Sequence, residues 1–290
     1  MSITVLMMVA ELVGGLLSNS LALLSDAGHM LTDNAALLLS FFAMKFATMP
    51  ATDRRTFGFY RLEILAALIN GVILVLISVY IIYEAYQRIL DPQPVQGTLM
   101  LVVAIIGLVA NIIGALVLTK HSHANLNIRG AYLHIIGDAL SSVGVVVGGV
   151  VILLTGWYLI DPILSVLISF VIMYGAWALV KESVSILLES VPSHIAIDTV
   201  AAEIAKLAGV REAYHIHVWT ITSGVHAMSA HVIIDDQLVS RSRELLDEIR
   251  ALLANRFKIV HSTIQLECER CDMNMNAECR LPSPDSHKPS

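Results

Sequence analysis

The chain carries the same pair of ionisable residues twice, each time inside an apolar stretch long enough to cross a membrane. His29 and Asp33 form the first pair, and His134 and Asp138 form the second. In a helix, residues four positions apart lie on one face, so each stretch presents an imidazole and a carboxylate in the same direction. Ionisable groups inside a membrane usually pair, line a water path or bind an ion. We therefore expect the two helices to face each other and to form one four-ligand site.

The alternative is that each histidine simply hydrogen-bonds a neighbouring helix, as single polar residues in membrane helices often do. Packing does not require two matched pairs, so the repetition favours ion binding. Two imidazoles and two carboxylates suit tetrahedral Zn²⁺, whereas Ca²⁺ and Mg²⁺ prefer more oxygen ligands. Co²⁺ and Cd²⁺ remain alternatives, because geometry and availability set the selectivity among such metals. We expect Zn²⁺ to be the transported substrate, with no organic cofactor.

The composition is that of a membrane protein with an appended domain. Hydrophobic residues make up 56% and charged residues 14% of the chain, against about 45–50% and 25% in soluble proteins. Charged residues are sparse up to about Val180 and frequent after it. This change predicts a membrane domain over residues 1–182, which carries the two His–Asp pairs and is the expected transport domain, and a water-exposed domain over 183–271. The Pro-, Ser- and His-containing end predicts a disordered tail over 272–290. Nothing in the pattern indicates nucleic-acid binding.

Six apolar stretches predict six transmembrane helices, at Ile3–Leu17, Ala22–Ala47, Leu62–Tyr86, Thr98–Leu118, Leu126–Leu154 and Pro162–Val180. The first has no basic leader and no small-residue cleavage site, so we expect a membrane span there rather than a cleaved signal. Seven basic residues flank the membrane on one side, at Lys45, Arg54, Arg55, Arg61, Lys120, Arg129 and Lys181, and only Arg88 lies on the other. The positive-inside rule therefore places both termini in the cytoplasm.

After Ser183 the sequence pattern becomes amphipathic. It predicts a helix over Ile195–Leu207, strands over Glu212–Ile221 and His226–Ile234, a helix over Ser240–Phe257 and a strand over Ile259–Glu267. This order of elements predicts a small α+β ferredoxin-like domain with helices on one face of the sheet.

Other polar residues in the membrane stretches have less specific interpretations. Asp26 could join the site or its entry path, but Ser25-Asp26 is also a good helix N-cap, and Asp161 before Pro162 is expected to cap the sixth helix. The remaining polar groups are expected to form interhelical hydrogen bonds or line a water path: Glu11, Asn34, Glu63, Asn70 and Asn111.

The motifs together resemble the cation diffusion facilitator family. The resemblance rests on the two His-x-x-x-Asp pairs, on the runs over 20–29 and 55–63, and on His217-Val218-Trp219. Within that family the chain resembles the cobalt–zinc–cadmium resistance branch and the mammalian zinc transporters. The resemblance implies a homodimeric Zn²⁺/H⁺ antiporter of the cell inner membrane, with six helices, a cytoplasmic ferredoxin-like domain and transport ligands at His29, Asp33, His134 and Asp138.

The resemblance also implies a second metal site in the cytoplasmic domain. Three of the family's ligand positions are matched by His231, His261 and Glu267, but Tyr214 occupies the first position and His215 lies one residue away. Strand alternation predicts that the His215 side chain points to the opposite face from Tyr214.

Near these positions the sequence holds further candidate ligands. Cys268 and Cys271 form a Cys-x-x-Cys pair that suits soft metals, although an exposed, reduced pair without function is the alternative. His215 and His217 share a strand face, where packing beside Trp219 is the favoured interpretation.

The sequence argues against other classes of membrane protein. It lacks the His-Glu-x-x-His motif of a metallohydrolase, so we expect no enzymatic activity, and it lacks an ATP-binding Walker loop. The energy for metal export would then come from an ion gradient. Protons and Zn²⁺ would compete for the same histidines. A channel with downhill metal flux, or a membrane metal sensor, is the alternative.

Overall fold

The computed structural model describes residues 2–47, 52–119 and 126–269. The chain divides into two compact units, Met1–Ser183 and Val184–Ser290. The predicted tail over 272–290 and Cys271 lie outside the described residues.

The first unit consists of helices α1 to α6. They cover Ser2–Ser18, Leu21–Ala47, Arg61–Leu90, Gly97–Thr119, Leu126–Thr155 and Ile160–Leu187. Within the described residues, four helical segments are long and apolar enough to cross a membrane: Arg61–Leu90, Gly97–Val117, Ile135–Thr155 and Ile160–Leu187. Their outward faces carry large apolar side chains, such as Leu154 at 80% and Val171 at 74% exposure. Lipid chains would cover surfaces of this kind, whereas water would not favour them.

The start of α2 is fixed by a carboxylate from another helix. Asp161 was expected to cap α6, but α6 begins at Ile160, and the Asp161 carboxylate instead accepts hydrogen bonds at the start of α2. Its donors are the Ser20 hydroxyl at 2.5 Å and the backbone N–H groups of Leu21 and Ala22 at 2.8 and 3.3 Å. The first N–H groups of a helix have no partner within that helix and favour a negative charge, so the start of α2 supplies the donors that the Asp161 carboxylate accepts from.

The helices that carry the two predicted ligand pairs share one buried core. This core joins the start of α2 to α4 and α5, and its members are Ala22, Leu23, Val95, Met100, Ala104, Val145 and Ile152. Close packing at this end of the bundle sets the positions of α2 and α5, and hence of the polar side chains farther along them.

The second unit contains α7 (Ile197–Ile204), β1 (Val210–Thr222), β2 (Val225–Ile234), α8 (Val239–Phe257) and β3 (Ile259–Glu267). The element order is the one that the sequence predicts. The strands form a sheet in the order β1-β2-β3, in which β1 and β2 are antiparallel and β2 and β3 are parallel. Gly224 adopts a left-handed φ of 74° in the β1–β2 turn, while α8 provides the crossover that a parallel pair requires.

One face of this sheet is covered by both helices. Every second residue of β2, including Met228 and Val232, packs against α7 and α8 in a single buried core. Ile249 and Leu253 of α8 are fully buried in that core. Because side chains alternate along a strand, His231 lies on the opposite face of the sheet, away from the helices.

Candidate metal sites

Helix α2 holds the first predicted ligand pair on one face. The His29 Nε2 atom lies 3.5 Å from an Asp33 carboxylate oxygen, one helical turn away, and both side chains are about one quarter to one third exposed. Partial burial leaves the two groups within reach of an ion while it limits the surrounding water.

Helix α5 brings a second carboxylate to the same histidine. Asp138 Oδ1 also lies 3.5 Å from His29 Nε2. His29, Asp33 and Asp138 each offer one ligand atom, and these atoms lie within 4.8 Å of one another. No other group of three metal-type ligands with this spacing was found among the described residues. Ligands about 2.1 Å from a tetrahedral metal are about 3.4 Å apart, so the two 3.5 Å distances from His29 Nε2 are those expected for a shared Zn²⁺.

His134 occupies the expected place on the backbone. It lies in α5, one turn before Asp138, and therefore on the same helix face. Its side chain is outside the described part of the structure, so its role as the fourth ligand stays a prediction.

Hydrogen bonds around His29 fix this part of α2. The Thr32 hydroxyl donates to the His29 carbonyl at 2.6 Å, and the Asn34 side chain donates to the Met30 carbonyl at 2.8 Å. The Thr4 hydroxyl of α1 in turn donates to the Asn34 side-chain oxygen at 2.8 Å. Asn34 therefore forms the interhelical hydrogen bond that was expected of it.

Asp26 is not an N-cap. Helix α2 begins five residues earlier, at Leu21, so Ser25 and Asp26 lie inside it. Asp26 is 5% exposed and accepts a hydrogen bond from the Ser141 hydroxyl of α5 at 3.0 Å. This contact joins α2 to α5 one turn away from the metal-type ligands.

A second cluster lies on the open face of the sheet in the other unit. His231 Nδ1 of β2 shares a 2.8 Å hydrogen bond with Glu267 Oε1 of β3. The Tyr214 hydroxyl of β1 donates to the other Glu267 oxygen at 2.5 Å, and the Gln265 amide donates to Oε1 at 2.7 Å. Glu267 therefore ties all three strands together through its carboxylate.

A β-bulge adds His215 to this cluster and corrects the expectation from strand alternation. The register of β1 shifts between Tyr214 and His217, and His215 has a left-handed φ of 52°. A bulge places two successive residues on the same face. The His215 ring consequently lies 5.0 Å from the His231 ring and 4.8 Å from the His217 ring.

The surroundings of His215 favour the neutral form of its ring. Burial of the ring and its histidine neighbours, His217 and His231, lower the pKa of His215 below its usual value. A neutral imidazole is the form that binds metal, so the bulge positions a metal-competent side chain beside His231 and Glu267.

The other predicted ligands of this domain, His261 and Cys268, are not part of the cluster around His231 and Glu267 in one chain. His261 of β3 pairs with Ala227, whereas Gln265 pairs with His231. Four residues along a strand span about 13 Å, so His261 does not join His231 and Glu267 in the same chain. Cys268 is exposed, with its sulfur 3.9 Å from an Asp236 carboxylate oxygen.

Family models match both units. Residues 1–188 match the cation efflux transmembrane domain, and residues 192–269 match the cytoplasmic domain of cation efflux proteins.

Relatives that match most of this chain come from several bacteria. The metal cation efflux system protein CzcD of Cupriavidus metallidurans is 41% identical over 94% of this chain and 86% of its own length. The zinc transporter ZitB of Escherichia coli K12 is 43% identical over 91% of this chain and 84% of its own length. A cadmium, cobalt and zinc/H(+)-K(+) antiporter of Bacillus subtilis is 43% identical over 90% of this chain and 85% of its own length.

One solved structure is similar to part of this chain. The metal-bound C-terminal domain of the CzcD transporter is 34% identical, with a TM-score of 0.23, and the match covers 25% of this chain and 99% of that one.

Proposed function

This chain belongs to the cation efflux family of membrane transporters for divalent metal cations, and from that premise we propose that it exports Zn²⁺ in exchange for protons. The observation that carries the proposal is the convergence of Asp33 and Asp138, from two helices, on the same nitrogen of His29. The relatives named for zinc, cadmium and cobalt transport support the choice of metal, with Cd²⁺ and Co²⁺ as secondary substrates.

In the proposed site, His134 completes a tetrahedron with His29, Asp33 and Asp138. The two carboxylates balance the charge of Zn²⁺, and the two imidazoles are neutral, so the occupied site has no net charge. This lowers the free-energy cost of holding the ion inside a membrane. We do not include Asp26 among the ligands. It lies one helical turn before His29, and its carboxylate accepts a hydrogen bond from the Ser141 hydroxyl.

Proton exchange follows from the chemistry of these ligands. Histidine binds metal in its neutral form and gains a proton near physiological pH, so Zn²⁺ and H⁺ exclude each other at the same nitrogen. Because the site lies between α2 and α5, a movement of one helix against the other would open it to alternate sides. Zn²⁺ would enter from the cytoplasm, and a proton from the opposite side would displace it.

The proposed architecture has six membrane spans, with α1 and α2 joining the four helices that meet the length and hydropathy requirement. The excess of basic residues on one side supports cytoplasmic termini. We propose the cell inner membrane as the location. The second unit would be a cytoplasmic ferredoxin-like domain. Its elements follow the order α7-β1-β2-α8-β3, in which α8 is the crossover helix between β2 and β3.

A homodimer would bring more ligands to the cytoplasmic cluster. His231 and Glu267 adjoin each other in one chain, whereas His261 lies about 13 Å farther along β3. His261 of a second copy could approach that cluster. Cys268, which directly follows β3, and Cys271, three residues later in the sequence, would supply thiolates. Zn²⁺ bound there cannot cross the membrane, so we assign this site a regulatory role.

The decisive experiment follows zinc and protons together in vesicles. The full chain is reconstituted with one dye for Zn²⁺ and one for pH inside the same vesicles. An exchanger moves protons in the direction opposite to Zn²⁺. It also accumulates zinc against its own gradient when a pH gradient is imposed. A channel moves zinc downhill without proton counterflow, and that result would refute the proposal. The Glu84→Gln variant is the matched control, because Glu84 is a membrane carboxylate that pairs with Arg88 of its own helix.

A further inference from the structure

Glu11 is a carboxylic acid in the middle of the apolar helix α1, and the proposed site does not use it. Its side chain is 2% exposed. The oxygen Oε2 is buried and has no hydrogen-bond partner among the described residues. Burial of a polar group without a partner is costly, and burial of a charged one is far more costly. A helix that only had to pack would be more stable with an apolar side chain here.

The packing of α1 against α4 accommodates this carboxyl group. Its other oxygen, Oε1, rests against Gly107 of α4, where an added methyl group would lie only 2.6 Å from it. Side-chain carbons do not approach an oxygen so closely, so glycine leaves the notch that Glu11 fills. The carboxyl group is therefore held at a defined depth in the bundle rather than directed towards solvent.

The charges that face Glu11 come from the two helices of the metal site. Asp26 of α2 and Asp138 of α5 both act electrostatically on Glu11, and both are acidic. Neither α1 (Ser2–Ser18) nor α4 (Gly97–Thr119) contains another ionisable side chain. The charge of Glu11 therefore depends first on its burial, and then on these two carboxylates and on whatever cation neutralises them.

We propose that Glu11 binds a proton of the exchange cycle, holding it while the metal site is empty and losing it when Zn²⁺ binds. The proposal rests on the proposed antiport. With the site empty, the negative charges of Asp26 and Asp138 repel a charge on Glu11 and favour its neutral form. Zn²⁺ at His29, Asp33 and Asp138 cancels that repulsion, and the O–H bond of Glu11 breaks to release a proton to water. When Zn²⁺ leaves, Glu11 takes up a proton again.

The polar groups near Glu11 lie on one side of the metal site. Asp26 comes one turn before His29 on α2, and Ser141 comes one turn after Asp138 on α5. Asn111 of α4 donates to the Ser142 hydroxyl at 3.4 Å in the same region. All of these lie towards the α1–α2 turn. In the proposed orientation this is the side opposite the cytoplasm, from which protons enter.

Proton release on zinc binding tests Glu11 without any transport. Calorimetric titration of the full chain in detergent, in two buffers of different ionisation enthalpy, gives the number of protons released per Zn²⁺. The Glu11→Gln variant should release about one proton fewer than the unsubstituted chain, while it still binds Zn²⁺ at the membrane site. Glu84→Gln should release the unsubstituted number. Equal proton release from Glu11→Gln and the unsubstituted chain would overturn the proposal.

Vesicle measurements separate this role from a structural one. In Glu11→Gln, zinc flux driven by a pH gradient should fall at least tenfold, whereas zinc–zinc exchange at equal pH should stay within twofold. A parallel loss of both fluxes would assign Glu11 to packing and overturn the proposal. If the unsubstituted chain moves zinc without protons, the antiport fails, and the calorimetric result still decides whether Glu11 releases a proton.

Gly107→Ala offers an independent perturbation that keeps the carboxyl group. The added methyl group displaces Glu11 from its notch, so gradient-driven flux should fall while zinc–zinc exchange persists. Combining Gly107→Ala with Glu11→Gln should lower gradient-driven flux no further than Glu11→Gln alone. Additive losses would show that the two residues act separately, and this would contradict the proposal.

Discussion

The chain places a histidine beside a carboxylate in two very different settings. In the membrane unit, His29 lies 3.5 Å from each of two carboxylates on separate helices, a separation suited to ligands around a shared ion. On the sheet, His231 and Glu267 form a direct hydrogen bond of 2.8 Å, and Tyr214 and Gln265 also donate to Glu267.

This difference predicts how each site would respond to metal. Zn²⁺ could enter between His29, Asp33 and Asp138 with little movement, and could leave as readily when the helices separate. At the sheet, Zn²⁺ must first displace hydrogen bonds that already satisfy Glu267. We therefore expect the membrane site to turn over rapidly and the sheet site to respond more slowly to zinc concentration.

The largest expected effect tests the membrane half of this comparison. Asp33→Ala and Asp138→Ala each remove one of four proposed ligands from a site without a spare, so zinc transport should fall at least a hundredfold. The variants should remain folded, because both carboxylates are partly exposed rather than packed in the core. Zinc flux in vesicles at matched protein content measures this, with Glu84→Gln as the control. Retained transport in either variant would remove that residue from the site.

Helix periodicity explains why this half could be predicted in detail. A spacing of four residues places His29 and Asp33 on one face whatever the rest of the fold does. The meeting of α2 and α5 depends on packing between distant segments, and the sequence suggested it only because the pair occurs twice. By contrast, the capping of α2 by Asp161 joins residues about 140 positions apart, for which no local pattern exists.

The sheet half was harder to predict, because one residue changes the register. Regular alternation placed His215 opposite to Tyr214, but the bulge at His215 brings both to the face of His231. Histidine can adopt a left-handed φ, yet it carries no strong signal for a bulge. The strands themselves were predictable, since alternating apolar residues such as Met228 and Val232 fill the core.

Metal choice sharpens the comparison by changing one ligand type. His29→Asp replaces a borderline nitrogen ligand with a harder oxygen, so relative uptake of the harder ion Mn²⁺ over Zn²⁺ should rise by about tenfold. Competition between the metals in vesicle uptake measures the ratio. His194→Asp, a histidine substitution in the other unit, is the control and should leave the ratio unchanged. An unchanged ratio in His29→Asp would place selectivity outside this site.

Removing the thiolates tests whether the second site regulates rather than transports. Cys268→Ser combined with Cys271→Ser should lower the number of zinc ions bound per chain and raise the zinc concentration for half-maximal transport about threefold. Proton exchange should persist. Metal analysis of the purified chain and vesicle flux at graded zinc concentrations provide the two measurements. Unchanged zinc content, or a loss of transport as complete as in Asp138→Ala, would contradict the regulatory role.

The smallest expected effect concerns acid stability of the sheet near its β1–β2 turn. His226 is buried, and its Nδ1 atom shares a 3.1 Å hydrogen bond with the Thr220 hydroxyl. Burial, followed by the nearby His194 and Lys258, lowers the pKa of His226 below its usual value near 6.5. A histidine with a lowered pKa binds fewer protons when folded than when unfolded, so its contribution to stability is complete above pH 6.5 and is lost as the pH falls below it.

Hydrogen exchange of the full chain, with metal chelated, can detect this change locally. Protection of β1 and β2 should decrease by less than about tenfold between pH 7.5 and pH 5.5 after correction for intrinsic rates, which is under about 1.4 kcal/mol. His226→Asn keeps a group able to bond Thr220 but cannot titrate, so it should weaken this pH dependence. Peptides from α3 serve as the internal reference, because α3 lies in the other unit. An equal pH dependence in His226→Asn would exclude this histidine as the cause and point instead to His215, whose pKa is also lowered.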